Sequence, residues 1–303
     1  MKVAIIGSGP AGLACADNLV SAKKEIEVTM YDEHKEFGGM VAYGIPEFIV
    51  PLKNVQDQIK SAKDKGIIFI QKKIESINEL LGEFDFVVLA IGAGKGFMLN
   101  LPGEENENII DALDFLKEAK INNNSLLKNG EEVGVVGGGN ASIDAALVGV
   151  KQGAKVTLIY RRTEKEMPAF ENELEQAKKA KVTFNFLRTP VEYCKENGRV
   201  KVICAVMKLG EVDASGRASP IDTGEKIELV FDKVLMSIGQ KPNLDWLTKE
   251  KIDLSGKCIK VDNYKTTKEK VFACGDIIYG AKNIGAATLS GINCAKAIIK
   301  KIN

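Results

Sequence analysis

The residues best placed for chemistry in this sequence are glycines, and they come in two sets. Gly7, Gly9 and Gly12 stand in the string Gly7-Ser8-Gly9-Pro10-Ala11-Gly12, directly behind the short apolar run 2–6. Asp32 follows 20 residues after Gly12, with Glu33 beside it. The string Gly137-Gly138-Gly139-Asn140-Ala141-Ser142 repeats the pattern at an offset of 130 residues, behind the run 132–136, and places Arg162 where Asp32 stood. Glycines so spaced hold phosphate. The first permits a tight turn out of a strand, and the second lets the backbone approach a pyrophosphate seated at the next helix N-terminus. The third position must be small so that helix and strand pack closely; Gly12 meets this, and Ser142 reads as a tolerated variant.

The charges that follow the two turns differ. A carboxylate at Asp32 can accept hydrogen bonds from the ribose hydroxyls of an adenosine. The guanidinium groups of Arg161 and Arg162 would instead bind a 2′-phosphate, which a carboxylate would repel. The first site therefore suits FAD or NAD and the second NADPH, with NADH as the alternative donor. The competing reading of the arginines is a solvated strand end, or pairing with Glu164 and Glu166.

Other chemistries find little support. His34 is the only histidine, and it reads as a neighbour of the first site rather than a catalyst. The six cysteines, Cys15, Cys194, Cys204, Cys258, Cys274 and Cys294, include no CxxC pair and no metal-like cluster, so no local iron–sulfur or dithiol centre is expected. Cys274 reads as a small buried residue. No acid–base residue is assigned as catalytic and no metal site is expected. A net charge of +1 argues against nucleic-acid or membrane-surface binding through bulk charge. No apolar run reaches the roughly 18 residues of a membrane span, and the chain's start lacks a secretory pattern, so a soluble cytoplasmic protein is expected.

The elements that must carry these turns alternate between strand and helix. Apolar helical patterns (13–20, 143–150) follow both turns, and second strands (26–31, 155–160) follow the helices. Strands are also predicted at 67–70 and at 84–90, the latter running through Ala90 into Gly92; the run 234–239, ending at Gly239, echoes it. Nearly continuous apolar strands between helices imply a parallel sheet covered on both faces. The predicted class is α/β, with two Rossmann-like dinucleotide-binding domains, the NAD(P)-binding one inserted into the FAD-binding one. Residues 1–108 and 240–303 would form the discontinuous FAD-binding domain, and 109–239 the NAD(P)H-binding domain. Strands 257–261 and 271–274 would rejoin the first domain, which the amphipathic helix 286–299 closes. A polar helix is predicted at 53–65, and loops or hairpin connections at 122–124 and 213–223.

The order of Gly7-Ser-Gly-Pro-Ala-Gly12, Ala90-Ile-Gly92, the inserted Gly137-Gly-Gly139 segment and Val271-Phe-Ala-Cys-Gly-Asp276 resembles the two-dinucleotide-binding-domain flavoprotein reductases. Tyr43-Gly-Ile-Pro-Glu-Phe48, Tyr160-Arg-Arg162 with Glu166-Met-Pro-Ala169, and Thr189-Pro-Val191 are similar to the small (beta) subunit of glutamate synthase. The resemblance covers essentially the whole chain. It implies FAD at the first site, held by the segment 7–12, Asp32, Glu33, Gly39, Met40, Gly44, Pro46, Ala90, Gly92, Gly275 and Asp276. The backbone of Ala286, Ala287 and Thr288 would approach the flavin ring, and Asp276 would bind the ribityl chain. NADPH would lie on Gly137, Gly138, Gly139, Asn140, Ala141, Ser142, Arg161, Arg162 and Gly239.

Departures from the relatives bound what transfers. No cysteine-rich iron–sulfur segment precedes the first strand, no CxxxxC follows Gly39, and Ser142-Ile-Asp144 replaces a thioredoxin-reductase-type CxxC. Direct disulfide reduction is disfavoured. The expectation is an NADPH oxidoreductase that reduces FAD and delivers electrons to an external acceptor, an iron–sulfur protein or a larger partner subunit. The alternatives are a self-sufficient reductase or oxidase acting on a small molecule, and a non-catalytic flavin-binding module. The oligomeric state is left open.

Overall fold

The computed structural model describes residues 1–23, 25–122, 124–213 and 216–302, with Thr248 described by its backbone alone. Lys24, Asn123 of the predicted loop 122–124, and Ala214 and Ser215 of the predicted loop 213–223 lie outside the described residues. The chain divides into two compact units, one taking residues 1–95 and those from 240 onward, the other 96–239.

The first unit is a five-stranded sheet in the order Val271–Ala273, Phe86–Leu89, Lys2–Ile6, Glu27–Asp32, Ile68–Gln71. Every pairing is parallel. Alternate residues of these strands face opposite sides, as the pleat requires. Val3, Ile5, Val28, Met30, Val88 and Phe272 meet Cys15, Leu19, Cys294 and Ile298 of helices Pro10–Ala22 and Ile284–Ile302. Ala4, Ile6, Val87, Leu89 and Ala273 face the other way, onto Ile77, Leu80, Leu247 and Ile259. Both faces of the strands inside the edge strand Ile68–Gln71 are thus dry, which is why those strands are mostly apolar. The two long helices approach backbone to backbone, because a Cβ at Gly291 would overlap the Ala11 carbonyl.

The predicted strand 257–261 is a correction. It shrinks to Cys258–Ile259, in a small antiparallel hairpin with Leu254–Ser255, outside the main sheet. Lys257, Lys260 and Asp262 leave it too polar to enter a sheet buried on both faces. The helix predicted at 53–65 is observed as Leu52–Asp64.

The second unit repeats the sheet, in the order Ile109–Asp111, Lys233–Met236, Glu132–Val136, Lys155–Tyr160, Thr183–Phe186. It too is parallel throughout. It adds an antiparallel sheet of Arg188–Glu196, Arg199–Val212 and Ala218–Phe231. Tyr193, Val200, Val202, Cys204 and Phe231 of that layer pack on Val136, Ile159, Val234 and Met236. Much of the predicted loop 213–223 is therefore strand, one arm of a long hairpin. Residues 96–108, predicted with the first domain, group with the second unit. The cause is local: the Glu104 carboxylate accepts the N–H groups of Leu99, Asn100 and Leu101, and Tyr193 N–H donates to the Pro102 carbonyl at 2.9 Å. No helix among the described residues is long and apolar enough to cross a membrane.

Candidate functional site

In the first unit three segments converge on the turn 7–12. Gly7 adopts φ +105°, and any Cβ there would overlap the Ala90 carbonyl. Its N–H donates to the Tyr31 carbonyl at 2.7 Å, which fixes the turn against the second strand. Gly39, at φ +59°, lies against Gly9, where a Cβ would come 2.7 Å from the Gly9 Cα. A Cβ at Gly275 would likewise come 2.7 Å from Ala11. The turn is therefore walled by strand end 90–92, by the Gly38–Gly39 loop and by Gly275–Asp276, with backbone at the first two points of approach and the Ala11 methyl at the third. That is a cradle shaped for a pyrophosphate at the start of helix Pro10–Ala22. Met40 and Gly44 belong to the short turn of helix Met40–Tyr43 and its cap; Gly44 and Pro46 are buried, and Gly92 has open space around it.

The carboxylate predicted to meet the ribose has other partners. Asp32 Oδ2 accepts from Ser8 N–H at 2.9 Å and from the Ser8 hydroxyl at 2.6 Å. Oδ1 accepts from His34 N–H at 3.0 Å and lies 3.0 Å from His34 Nδ1. All four acceptor directions of the carboxylate are taken, and only 8% of the residue is exposed. Burial opposes its ionisation, but the hydrogen bonds from His34 and Ser8 outweigh that and hold Asp32 below the usual carboxylate range. His34, read as a neighbour of the first site, is stacked on Tyr43 with ring centroids 4.3 Å apart and braces the loop. Glu33, beside it, is the exposed carboxylate.

Asp276 is the reverse case. Its Oδ1 is buried with no hydrogen-bond partner, and burial pushes the carboxyl up to about 6 against the pull of Lys282. A buried acceptor without a donor is costly, so it fits a group that brings hydroxyl donors. Gly275 N–H beside it is held by the Ser290 hydroxyl at 2.9 Å. The helix carrying Ala286, Ala287 and Thr288 begins at Ile284, two residues earlier than predicted. Ala286 N–H donates to Asn283 Oδ1, Ala287 N–H to the Asn283 carbonyl, and the Thr288 hydroxyl to the Ile284 carbonyl.

The second turn has the same construction. Gly137, at φ +146°, abuts the Ser237 carbonyl, as Gly7 abuts Ala90. Ser142 does more than tolerate the tight packing, since its buried hydroxyl donates to that same carbonyl at 3.1 Å. Asn140 Oδ1 accepts from Phe170 N–H at 2.9 Å, and Ala141 sits in the first helical turn between them. Gly239, at φ +112°, accepts from Phe97 N–H at 3.0 Å. Gly138 lies against the Tyr160 ring, and Gly139 has open space around it.

Strand register corrects one equivalence. Ile6 pairs with Tyr31 and Gly7 N–H donates to Tyr31, whereas Val136 pairs with Ile159 and Gly137 N–H donates to Ile159. Tyr31 thus matches Ile159, and Asp32 matches Tyr160 rather than Arg162. The helix-to-strand connection is shorter in the second unit: helix Pro10–Ala22 leads to a strand starting at Glu27, helix Asn140–Lys151 to one starting at Lys155. The side-chain neighbours agree, since Ser8 meets Asp32 and Gly138 meets Tyr160. Arg161 matches Glu33, and both are exposed.

Arg162 is buried, its side chain 3% exposed. Its Nε donates to the Ala218 carbonyl at 2.7 Å and its Nη2 to Asp213 Oδ2 at 2.7 Å. Neither Glu164 nor Glu166 is its partner: Glu164 pairs with Lys178, and the Glu166 carboxylate accepts from Thr163 in a capping box. Asp213 and Tyr160 were missed as neighbours of this site. Nothing in the local sequence links Arg162 to Asp213, which lies 51 residues away. Among the described residues, no group of three or more His, Cys, Asp or Glu is arranged to hold a metal ion.

Comparison with known proteins places these observations in a family. The pyridine nucleotide-disulphide oxidoreductase model matches residues 1–291. The beta subunit of an NADP(+)-dependent formate dehydrogenase from Moorella thermoacetica is 35% identical over 98% of this chain and 43% of its own length. The glutamate synthase [NADPH] small chain of Escherichia coli is 32% identical over 98% of this chain and 68% of its own. A Geobacter sulfurreducens NADPH-Fe(3+) oxidoreductase beta subunit is 39% identical over 81% of this chain and 38% of its own. The chain thus spans less than half of two of these three relatives. Among solved structures, FprA of Mycobacterium tuberculosis superposes with a TM-score of 0.86 at 20% identity, over 99% of this chain and 84% of that one. Thioredoxin reductase of T. acidophilum does so with a TM-score of 0.76 at 19% identity, over 99% and 98%, and both establish the fold. The chain belongs to the pyridine nucleotide-disulphide oxidoreductase family.

Proposed function

We propose that the first unit holds FAD, the second holds NADPH, and the electrons leave to a separate protein, an iron–sulfur protein or a larger partner subunit. The observation that carries the assignment of FAD to the first unit is Asp276 Oδ1, a buried acceptor without a donor at the rim of a backbone-lined cradle. A polyol chain running past Gly275 would supply the missing hydroxyl. Bound flavin supplies the exchange between a two-electron hydride donor and one-electron acceptors. The chain's own part is to bind and orient: Gly7, Gly9 and Gly39 open the backbone to the pyrophosphate, and the Asp32–Ser8–His34 network fixes the loop beside it. In the second unit Gly137, Gly138 and Ser142 form the matching cradle, and exposed Arg161 brings positive charge to the strand end.

An external acceptor is supported from two sides. No CxxC occurs in the sequence, and Cys15, Cys204, Cys274 and Cys294 are buried, so a dithiol of the thioredoxin-reductase kind has no place to act. Three of the most similar relatives carry names of subunits or chains of larger enzymes, NADP(+)-dependent formate dehydrogenase, glutamate synthase and NADPH-Fe(3+) oxidoreductase. Anaerobic titration of the FAD-loaded protein with NADPH and with NADH, following flavin absorbance, tests the assignment. The expected outcome is bleaching by NADPH at the lower concentration, with slow reoxidation by disulfides and fast reoxidation by one-electron acceptors. A flavin that neither nucleotide bleaches would overturn it.

A further inference from the structure

We propose that strand Ile68–Gln71, the outer edge of the first parallel sheet, docks an extended segment of a partner protein that carries apolar side chains at alternate positions and acidic residues at both ends. Neither cofactor assignment is needed for it.

The chain supplies its own control, because the two units repeat one sheet. Ile68 and Ile70 pair with Thr29 and Tyr31, and Thr183 and Asn185 pair with Thr157 and Ile159. Since Tyr31 matches Ile159, Ile68 matches Thr183 and Ile70 matches Asn185. Both strands end their sheets. The face that carries these positions is therefore polar at the second unit's edge and apolar at the first, where Ile68 is 55% and Ile70 37% exposed. Edge strands are ordinarily kept polar or charged to prevent pairing. Here two β-branched side chains stand in water on the same face of one. The backbone agrees. Lys72 N–H donates to the Asp32 carbonyl at 2.8 Å, so alternation along the strand turns the N–H and C=O groups of Phe69 and Gln71 outward. No protein group among the described residues bonds them. One added strand would satisfy those groups and cover both isoleucines, which is how extended peptides join a sheet edge.

Charge selects the partner. Between residues 63 and 73 stand four lysines and one carboxylate, Asp64. Lys65 pairs with Asp17, and Lys72 with Glu79 at 2.9 Å. Lys63, whose ammonium lies 5.7 Å from the Phe69 ring centroid, and Lys73 have no ion-pair partner among the described residues, and they bracket the strand at its two ends. A second copy of this chain fits poorly. The antiparallel register that sets Ile68 opposite Ile70 of the copy also sets Lys73 opposite its Lys65, and like charges so placed are destabilising. A segment with acidic residues at both ends meets the lysines with the opposite charge.

Two fluorescein-labelled peptides serve as probes. They share a core of alternating valine and threonine, flanked at both ends by paired glutamates in one and paired lysines in the other. Fluorescence anisotropy follows their binding to the full chain as purified, at low ionic strength, where surface charges are least screened. The unaltered chain is compared with the double variant Ile68→Thr, Ile70→Asn, which installs the second unit's residues. The expected result is saturable binding of the glutamate peptide, weaker by about tenfold or more for the lysine peptide and in the double variant. The melting temperature of the double variant should match that of the unaltered chain, since both positions are exposed. Amide hydrogen exchange should slow at Phe69 and Gln71 on binding, which charge attraction alone would not cause. Lys73→Glu, outside the strand, should weaken the glutamate peptide and strengthen the lysine one; equal effects on both would overturn the charge pairing. No saturable binding up to about 1 mM glutamate peptide would overturn the docking site. So would binding that the double variant leaves intact, or that leaves the Phe69 and Gln71 amides unprotected. Sedimentation velocity tests the other occupant: a dimeric unaltered chain with a monomeric double variant would seat a second copy on the strand and refute the acidic partner.

Discussion

Asp32 and Asp276 stand at opposite ends of the same physical argument. Asp32 has four protein donors and is held below the usual carboxylate range; Asp276 has a buried oxygen with none and is raised to about 6 by burial. A hydroxyl donated to Asp276 stabilises the carboxylate, so flavin and proton compete for it. FAD affinity should therefore be full above pH 6 and fall as the pH drops through it. Asp276→Asn should weaken FAD at pH 8 by about 1.5–3 kcal/mol, the range for a hydrogen bond to a charged group, and remove the acid-side loss. Fluorescence-monitored FAD release between pH 5 and 8 measures both; an unchanged pH profile in the variant would refute the role. At this scale the glycines were legible in the sequence because their constraint is local, a turn pressed on a neighbouring carbonyl. Arg162 was misplaced because its neighbours depend on a connection length and on Asp213, 51 residues on.

Helices set the second prediction. Asp144, on helix Asn140–Lys151, and Glu173, on helix Glu171–Lys179, are both buried, and Asp144 Oδ1 and Glu173 Oε2 lack partners. Burial first, and the Glu173 charge second, push Asp144 up to about 7, while Lys120 of helix Ala112–Ile121 pulls it down. The folded chain holds a proton on Asp144 that the unfolded chain has lost above about pH 4, so stability falls as pH rises toward 7 and then levels. Asp144→Asn, which stays neutral, should flatten that slope and stabilise the protein at pH 8 by about 4 kcal/mol at most. Melting temperatures at pH 5, 6.5 and 8 check it, and an unaltered slope would count against it. The parallel strands were readable as elements because the central ones are buried on both faces and their runs are mostly apolar. The antiparallel layer was not, since Ala218–Phe231 is polar and exposed for much of its length and looks like loop.

The route of the chain through its two units makes the last prediction. Every strand of the second parallel sheet, and all of its antiparallel layer, comes from residues 109–236. The first sheet does not close on itself in this way. Its edge strand Val271–Ala273, beside Phe86–Leu89, and the covering helix Ile284–Ile302 arrive only after the second unit has been completed. A fragment ending at residue 239 would lose Val271, Phe272, Ile277 and Ile298, each buried to 2% exposure or less, and Leu247 with them. At about 1.5–3 kcal/mol for each large apolar side chain, the loss reaches the whole stability of an ordinary domain, about 5–15 kcal/mol. The segment 96–239 should therefore fold alone, with a cooperative melt and retained affinity for 2′,5′-ADP. A chain in which a short flexible linker joins residue 95 to 240 should fold and bind FAD, because it keeps all five strands of the first sheet. The fragment 1–239 should melt its second unit normally while its first 95 residues show neither a cooperative transition nor FAD binding. Circular dichroism and flavin fluorescence on the three chains decide it. A first 95 residues that bind FAD without the returning strand and helix would mean that the sheet's edge is dispensable, and that the interruption carries no weight in how this unit is held together.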